Sequence, residues 1–213
     1  MAAVDREPSC GVGKRAWVSL VSVLLFAGCA GLQPPQANDP NVFVLDARPL
    51  AGPQRANRDL VLAVSVPRAR PGFDTAKMVY VRQPHQLEYF ATNRWADTPA
   101  RMLAPLIARA VEEAGGFRAV VRAPGALPAD LRLDTELIRL QHDFGNQPSR
   151  VRLTLRVQLS DVRTRRVLAA REFDEVERAP SENAYGGVIA ANRALQRLLA
   201  QLADFSVEQS GGR

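Results

Sequence analysis

Residues 150–160 alternate without a break. Val151, Leu153, Leu155, Val157 and Leu159 fall on one side, and Arg152, Thr154, Arg156 and Gln158 on the other. A period of two sends successive side chains to opposite faces of a strand. The segment therefore belongs to a sheet with one face buried and the other wetted. A turn over 161–166 and a further strand over 167–176 predict an antiparallel return. Leu131, Leu133, Thr135 and Leu137 mark another long strand over 130–142, followed by a turn at 144–149. Shorter strands are predicted at 42–46, 60–66, 78–81, 86–90 and 117–121. Loops are predicted at 50–58, 67–73 and 123–129, and a connection at 91–96.

Two segments have helical spacing instead. Met102, Leu103, Leu106, Ile107, Ala110, Val111 and Ala114 form one apolar stripe. Asp97 or Thr98 is the expected cap, Pro99 the first helical residue and Gly115-Gly116 the stop. Pro105 inside the stripe predicts a kink or an irregular first turn, because an interior proline costs ~3 kcal/mol. The second helix starts from Ser181 as expected cap and carries Val188, Ala191, Leu195, Leu198, Leu202 and Phe205, with fraying expected over 208–213. Strands, helix, long strands, helix: this order predicts an α+β fold, a mixed or mainly antiparallel sheet with two helices packed on one face. It does not suit a doubly wound nucleotide-binding fold. With 46% hydrophobic residues the chain can bury a core of one domain.

Residues that carry chemistry are sparse. His85 and His142 have no ligand partner three or four residues away, and both are expected as exposed or hydrogen-bonded loop histidines. Asp134 and Glu136 share a strand face, but Arg132 and Arg139 flank them, so ion pairing is the expected use. No nucleophile elbow, phosphate loop or zinc signature occurs. No catalytic residue, metal or cofactor is predicted. The arginines are scattered and densest over 151–171, where no aromatic interleaves them before Phe173. A nucleic-acid stripe would need that interleaving. A solvated strand face and hairpin tip are expected there, or a surface for anionic head groups or an acidic partner.

The N-terminus carries an address. Lys14 and Arg15 precede an apolar run that stops at Ala27-Gly28-Cys29. From residue 16 to residue 30 it is shorter than the ~20 residues a membrane-crossing helix needs. A basic n-region, an apolar h-region and small residues before a cleavage point form a secretory signal. With Cys29 next, the stretch resembles the lipobox of bacterial lipoproteins, although Phe26 stands where leucine is usual. The resemblance implies cleavage between Gly28 and Cys29 and acylation of Cys29. Residues 1–28 carry Arg6, Lys14 and Arg15 against Asp5 and Glu7, so their removal takes the net charge from +6 to +5. Cys10 leaves with them, and no disulfide can form in the mature chain. Residues 29–41, rich in Pro and polar residues, are expected as a flexible tether, and 42–207 as the domain. Ala30, where an aspartate would signal inner-membrane retention, implies the outer membrane with the domain facing the periplasm.

One stretch concentrates Tyr80, Tyr89, Phe90 and Trp95 in a chain with only 6% aromatics. Such rings suit a binding surface, or they wedge the first helix onto the sheet. Tyr80, Leu87-x-Tyr89 and Arg94-Trp95-Ala96-x-x-Pro99-Ala100-Arg101-Met102-Leu103 resemble the central motif of the ABC-type transport auxiliary lipoproteins, over roughly residues 42–205. The resemblance implies a non-catalytic outer-membrane lipoprotein. It would serve an ABC transporter and its MCE (mammalian-cell-entry-type) periplasmic protein in moving lipids or hydrophobic solutes between membranes. Tyr80, Leu87, Tyr89, Phe90, Arg94, Trp95 and Pro99 are then the candidate partner-binding surface or motif core. A homo-oligomeric ring would suit a conduit-docking role, and no residue here specifies one. The other reading is a periplasm-facing lipoprotein that binds a small ligand, cell wall or a peptidoglycan synthase.

Overall fold

The computed structural model describes residues 39–49, 55–125 and 128–212. The Ala27-Gly28-Cys29 junction lies outside them. Among the described residues, nine strands form one sheet: β1 (Asn41–Phe43), β2 (Arg55–Val64), β3 (Arg68–Ala69), β4 (Lys77–Val81), β5 (Glu88–Trp95), β6 (Gly115–Arg122), β7 (Leu131–Asp143), β8 (Arg150–Asp161) and β9 (Val167–Arg178). Helix α1 (Pro99–Ala114) lies between β5 and β6, and α2 (Ala184–Gln209) follows β9. The α+β architecture is the one the strand and helix order predicts.

Strand β7 organises the sheet. Along one edge it pairs antiparallel with β8, from Leu131↔Asp161 to Asp143↔Arg150, and β9 returns antiparallel along β8. Its other edge is shared by three parallel partners in succession: β2 at Leu131–Leu133, β3 at Glu136 and Leu137, and β4 at His142 and Asp143. Thirteen residues at ~3.4 Å each outrun any single partner on that edge. The sheet therefore divides into a β2–β6 arm and a β4–β5–β1 arm.

The alternation in β8 holds along its length. Val151, Leu153, Leu155, Val157 and Leu159 are buried. In β7, Leu131, Leu133, Thr135 and Leu137 are buried as expected, but a bulge between Leu137 and Arg139 then shifts the phase, and Leu140 and His142 take over the inner face. Leu103, Ile107 and Val111 of α1, with Leu195, Leu198, Leu199 and Leu202 of α2, complete the core.

Several boundaries differ from the sequence expectation. β2 starts at Arg55, inside the expected loop. Its polar start is held by β6 and by α2: Arg55 pairs with Asp204 at 2.8 Å, and Arg58 donates to the Val207 carbonyl at 2.8 Å. Residues 68–69 of the next expected loop form β3. β5 runs through the expected connection to Trp95 because β1 pairs with Asn93–Trp95. Thr98 occupies the N-cap of α1 without a side-chain cap bond, while Asp97 accepts from the Thr98 N–H at 2.7 Å. α1 continues through Pro105, whose ring nitrogen has no hydrogen to donate to the Arg101 carbonyl; both residues are exposed. Asn183, not Ser181, caps α2, accepting from the Gly186 N–H at 2.8 Å. Asn183→Ala should therefore lower stability by about 1 kcal/mol, read as a shift in urea midpoint, whereas Ser181→Ala should shift it less. Beyond Gln209, where fraying was expected, the chain makes a 3-10 turn and Ser210 is buried against Arg58.

Candidate docking surface

The β4–β5 hairpin divides the aromatic motif between two faces. Tyr80 lies opposite Glu88, and Val79 opposite Tyr89. Tyr80 and Phe90 point toward the helix side. Their rings are 4.7 Å apart and meet Phe144, which stacks on His142 at 4.1 Å. Trp95 and Pro99 are buried. These four residues build the floor of the hairpin. Leu87 (40% exposed) and Tyr89 (39%) face outward, and Arg94 is exposed. Tyr89 Oη donates to the Gly72 carbonyl at 3.3 Å, and Lys77 Nζ lies 5.5 Å from its ring centre. Gly72, at φ +89°, lets Leu87 close over the same loop, since a Cβ there would lie 2.7 Å from Leu87 Cδ1.

Glu88 fixes the hairpin tip. It accepts from Tyr80 Oη at 3.1 Å and from Arg82 Nε at 2.8 Å, and Arg82 Nη2 reaches its other oxygen. The Arg82 hydrogen bonds, with a smaller contribution from Tyr80, hold the Glu88 carboxyl below its ordinary value against desolvation. The same carboxylate raises the Tyr80 hydroxyl. His85 sits at the tip with φ 68° and is exposed, as expected of a loop histidine.

Beside the tip runs an open groove of about 800 Å³, lined by Arg70, Arg82, Leu87, Arg139, Asp143 and Arg152, among others. Arg70 pairs with Glu136 at 3.2 Å and Arg152 with Asp174 at 2.7 Å. Glu136 thus finds its partner on the β3 side and not in Arg132 or Arg139. Among the described residues, Arg139 has no carboxylate within ion-pair distance, though it helps lower the Asp174 carboxyl. Arg70 carries no signal in the sequence, and Arg139 reads there only as an ion-pair flank of Asp134 and Glu136. The Leu137/Arg139 bulge aims Arg139 into the groove, and a bulge leaves no mark in the alternation beforehand.

His142 is not a loop histidine. It is 3% exposed on β7, with Nε2 2.8 Å from Ser149 Oγ, and Ser149 N–H donates to Glu182 Oε1 at 2.9 Å. Gly187 of α2 lies so close that a Cβ there would be 2.6 Å from His142 Nδ1. This network ties the β7–β8 turn to the start of α2. Burial lowers the His142 pKa, against Glu182 and Asp143. The unfolded chain therefore takes up this proton first as pH falls. Stability from this group is present above about 6.5 and is lost below it. Urea midpoints should fall through that range in the wild type, with a shallower fall in His142→Gln.

Among the described residues, no group of three or more His, Cys, Asp or Glu side chains is placed to hold a metal ion, and no helix is long and apolar enough to cross a membrane. What the hairpin and groove offer is an apolar lip, a rigid base and positive charge. A family model described as the ABC-type transport auxiliary lipoprotein component matches residues 43–203. The chain belongs to that family. Its members are lipoproteins, held at a membrane without a transmembrane span. Among solved structures, protein XCC0632 from Xanthomonas campestris, assigned to the DUF330 family, superposes with a TM-score of 0.74 at 21% identity, over 81% of this chain and 98% of that one. An uncharacterised protein superposes with a TM-score of 0.61 at 13% identity, over 81% and 99%. Both share the fold. No curated protein matches the sequence.

Proposed function

We propose that this auxiliary lipoprotein is a non-catalytic docking subunit of an ABC/MCE-type system that moves lipids or hydrophobic solutes between membranes. Its anchor is acylated Cys29 in the outer membrane, and its domain faces the periplasm. The partner is the MCE-type periplasmic protein. It is gripped by Leu87 and Tyr89 at the lip of the Arg139 groove. The observation that carries this reading is the exposure of these two large apolar side chains on a hairpin whose other face is locked into the core. An apolar centre with a basic rim suits a protein partner better than a small ligand, which favours an enclosed cavity.

Membrane fractionation tests the anchor. Wild type should sediment with outer membranes and Cys29→Ala should not. If both are soluble in the periplasm, the anchor is lost from the account. Affinity capture of the wild-type chain should recover an MCE protein; recovery of only peptidoglycan synthases would point to a different role.

A further inference from the structure

A second exposed apolar face lies where the chain enters the fold. Val42 and Val44 are 50% and 53% exposed, and Tyr185, in the first turn of α2, is 61% exposed. The Phe43 ring lies 6.2 Å from that of Tyr185. Together they border an open groove of about 530 Å³ between the β1 segment and α2. The exposure is built in. Asn192 of α2 accepts from the Asp46 N–H at 2.7 Å and donates to the Val44 carbonyl at 3.3 Å. Arg48 and Arg193 stand on the rim with Asp46. Arg48 has no carboxylate within ion-pair distance among the described residues, and Arg193 is 3.8 Å from Glu177.

We propose that this face rests on the phospholipid surface to which the chain is tethered. Val42, Val44 and Tyr185 enter the interfacial layer, while Arg48 and Arg193 face head-group phosphates. The inference rests on the anchoring reading of Cys29. Residues 29–40 can span no more than ~43 Å, and β1 is the first strand among the described residues. Confinement of that kind sets an effective concentration in the millimolar range. A contact too weak to recruit a free domain is then populated. A tyrosine among small aliphatic side chains, with arginines beside it, has the amphipathic character of an interfacial contact. The geometry also leaves the hairpin free. β1 meets the Asn93–Trp95 end of β5, and the 82–87 loop leaves the Glu88 end, about 24 Å away at ~3.4 Å per residue.

The test uses the full chain with Cys10→Ser, expressed in a Gram-negative host and reconstituted into phosphatidylethanolamine–phosphatidylglycerol vesicles. An environment-sensitive fluorophore is placed at Val44→Cys, Tyr185→Cys or, as control, Val167→Cys on β9. The chain should float with the vesicles. Labels at 44 and 185 should shift to the blue and lose fluorescence to brominated acyl chains, and the label at 167 should do neither. A floating chain with all three labels unquenched overturns the inference and leaves the anchor standing. A chain that does not float overturns the anchor and the inference with it. A blue shift that grows with protein concentration in the absence of vesicles assigns the face to a second copy of the chain and overturns the lipid contact.

Discussion

Trp95→Ala should cost the domain about 3–5 kcal/mol, read as a large fall in urea midpoint with an unchanged slope. Trp95 is 4% exposed at the end of β5. Its backbone N–H donates to the Ala76 carbonyl at 2.8 Å, and β1 pairs with it through Phe43, which fixes the strand end that carries the ring. With Met78, Leu140, Val151 and Ala191 it borders a gap of only about 10 Å³. The gap is at the lower limit for holding one water. Losing the indole would open a cavity that strands on two sides and α2 cannot collapse into. A midpoint close to wild type would mean that Trp95 is not a core residue.

Tyr89→Ala, combined with Leu87→Ala, should lower affinity for the partner by about 30-fold or more, the scale of interface hot spots. Stability should change by less than about 1 kcal/mol, because both side chains are well exposed and Tyr89 makes one long hydrogen bond of 3.3 Å. Measured on the purified chain and its captured partner, this variant and Trp95→Ala should separate cleanly. One loses binding and stays folded; the other loses the fold. If Tyr89→Ala with Leu87→Ala binds as wild type, the hairpin lip is not the docking surface.

Much of the sheet was legible because it is amphipathic. In β8 and the first half of β7 one face is buried, so period two reports directly on the core. The edges were less legible. β2 starts with Arg55-Ala-Asn-Arg58, a run that looks like loop until α2 supplies Asp204 and the Val207 carbonyl to receive the arginines. β5 is prolonged by a partner 52 residues earlier in the chain, which no local pattern announces. The aromatic motif is legible in composition and in its resemblance to the family's central motif, but neither says which face a ring takes. Register across the hairpin decides it, sending Tyr80 and Phe90 inward and Tyr89 outward. Burial of His142 followed from a bulge four residues earlier, and Arg139 reached the groove by the same shift.

The measurement closest to the central claim is site-specific crosslinking in living cells. A photoreactive residue at Tyr89 should give an adduct with the MCE-type protein, and one at the exposed Val176 of β9 should not. An adduct at Tyr89 with peptidoglycan synthases alone, or MCE adducts at Val176 and none at Tyr89, would contradict the account.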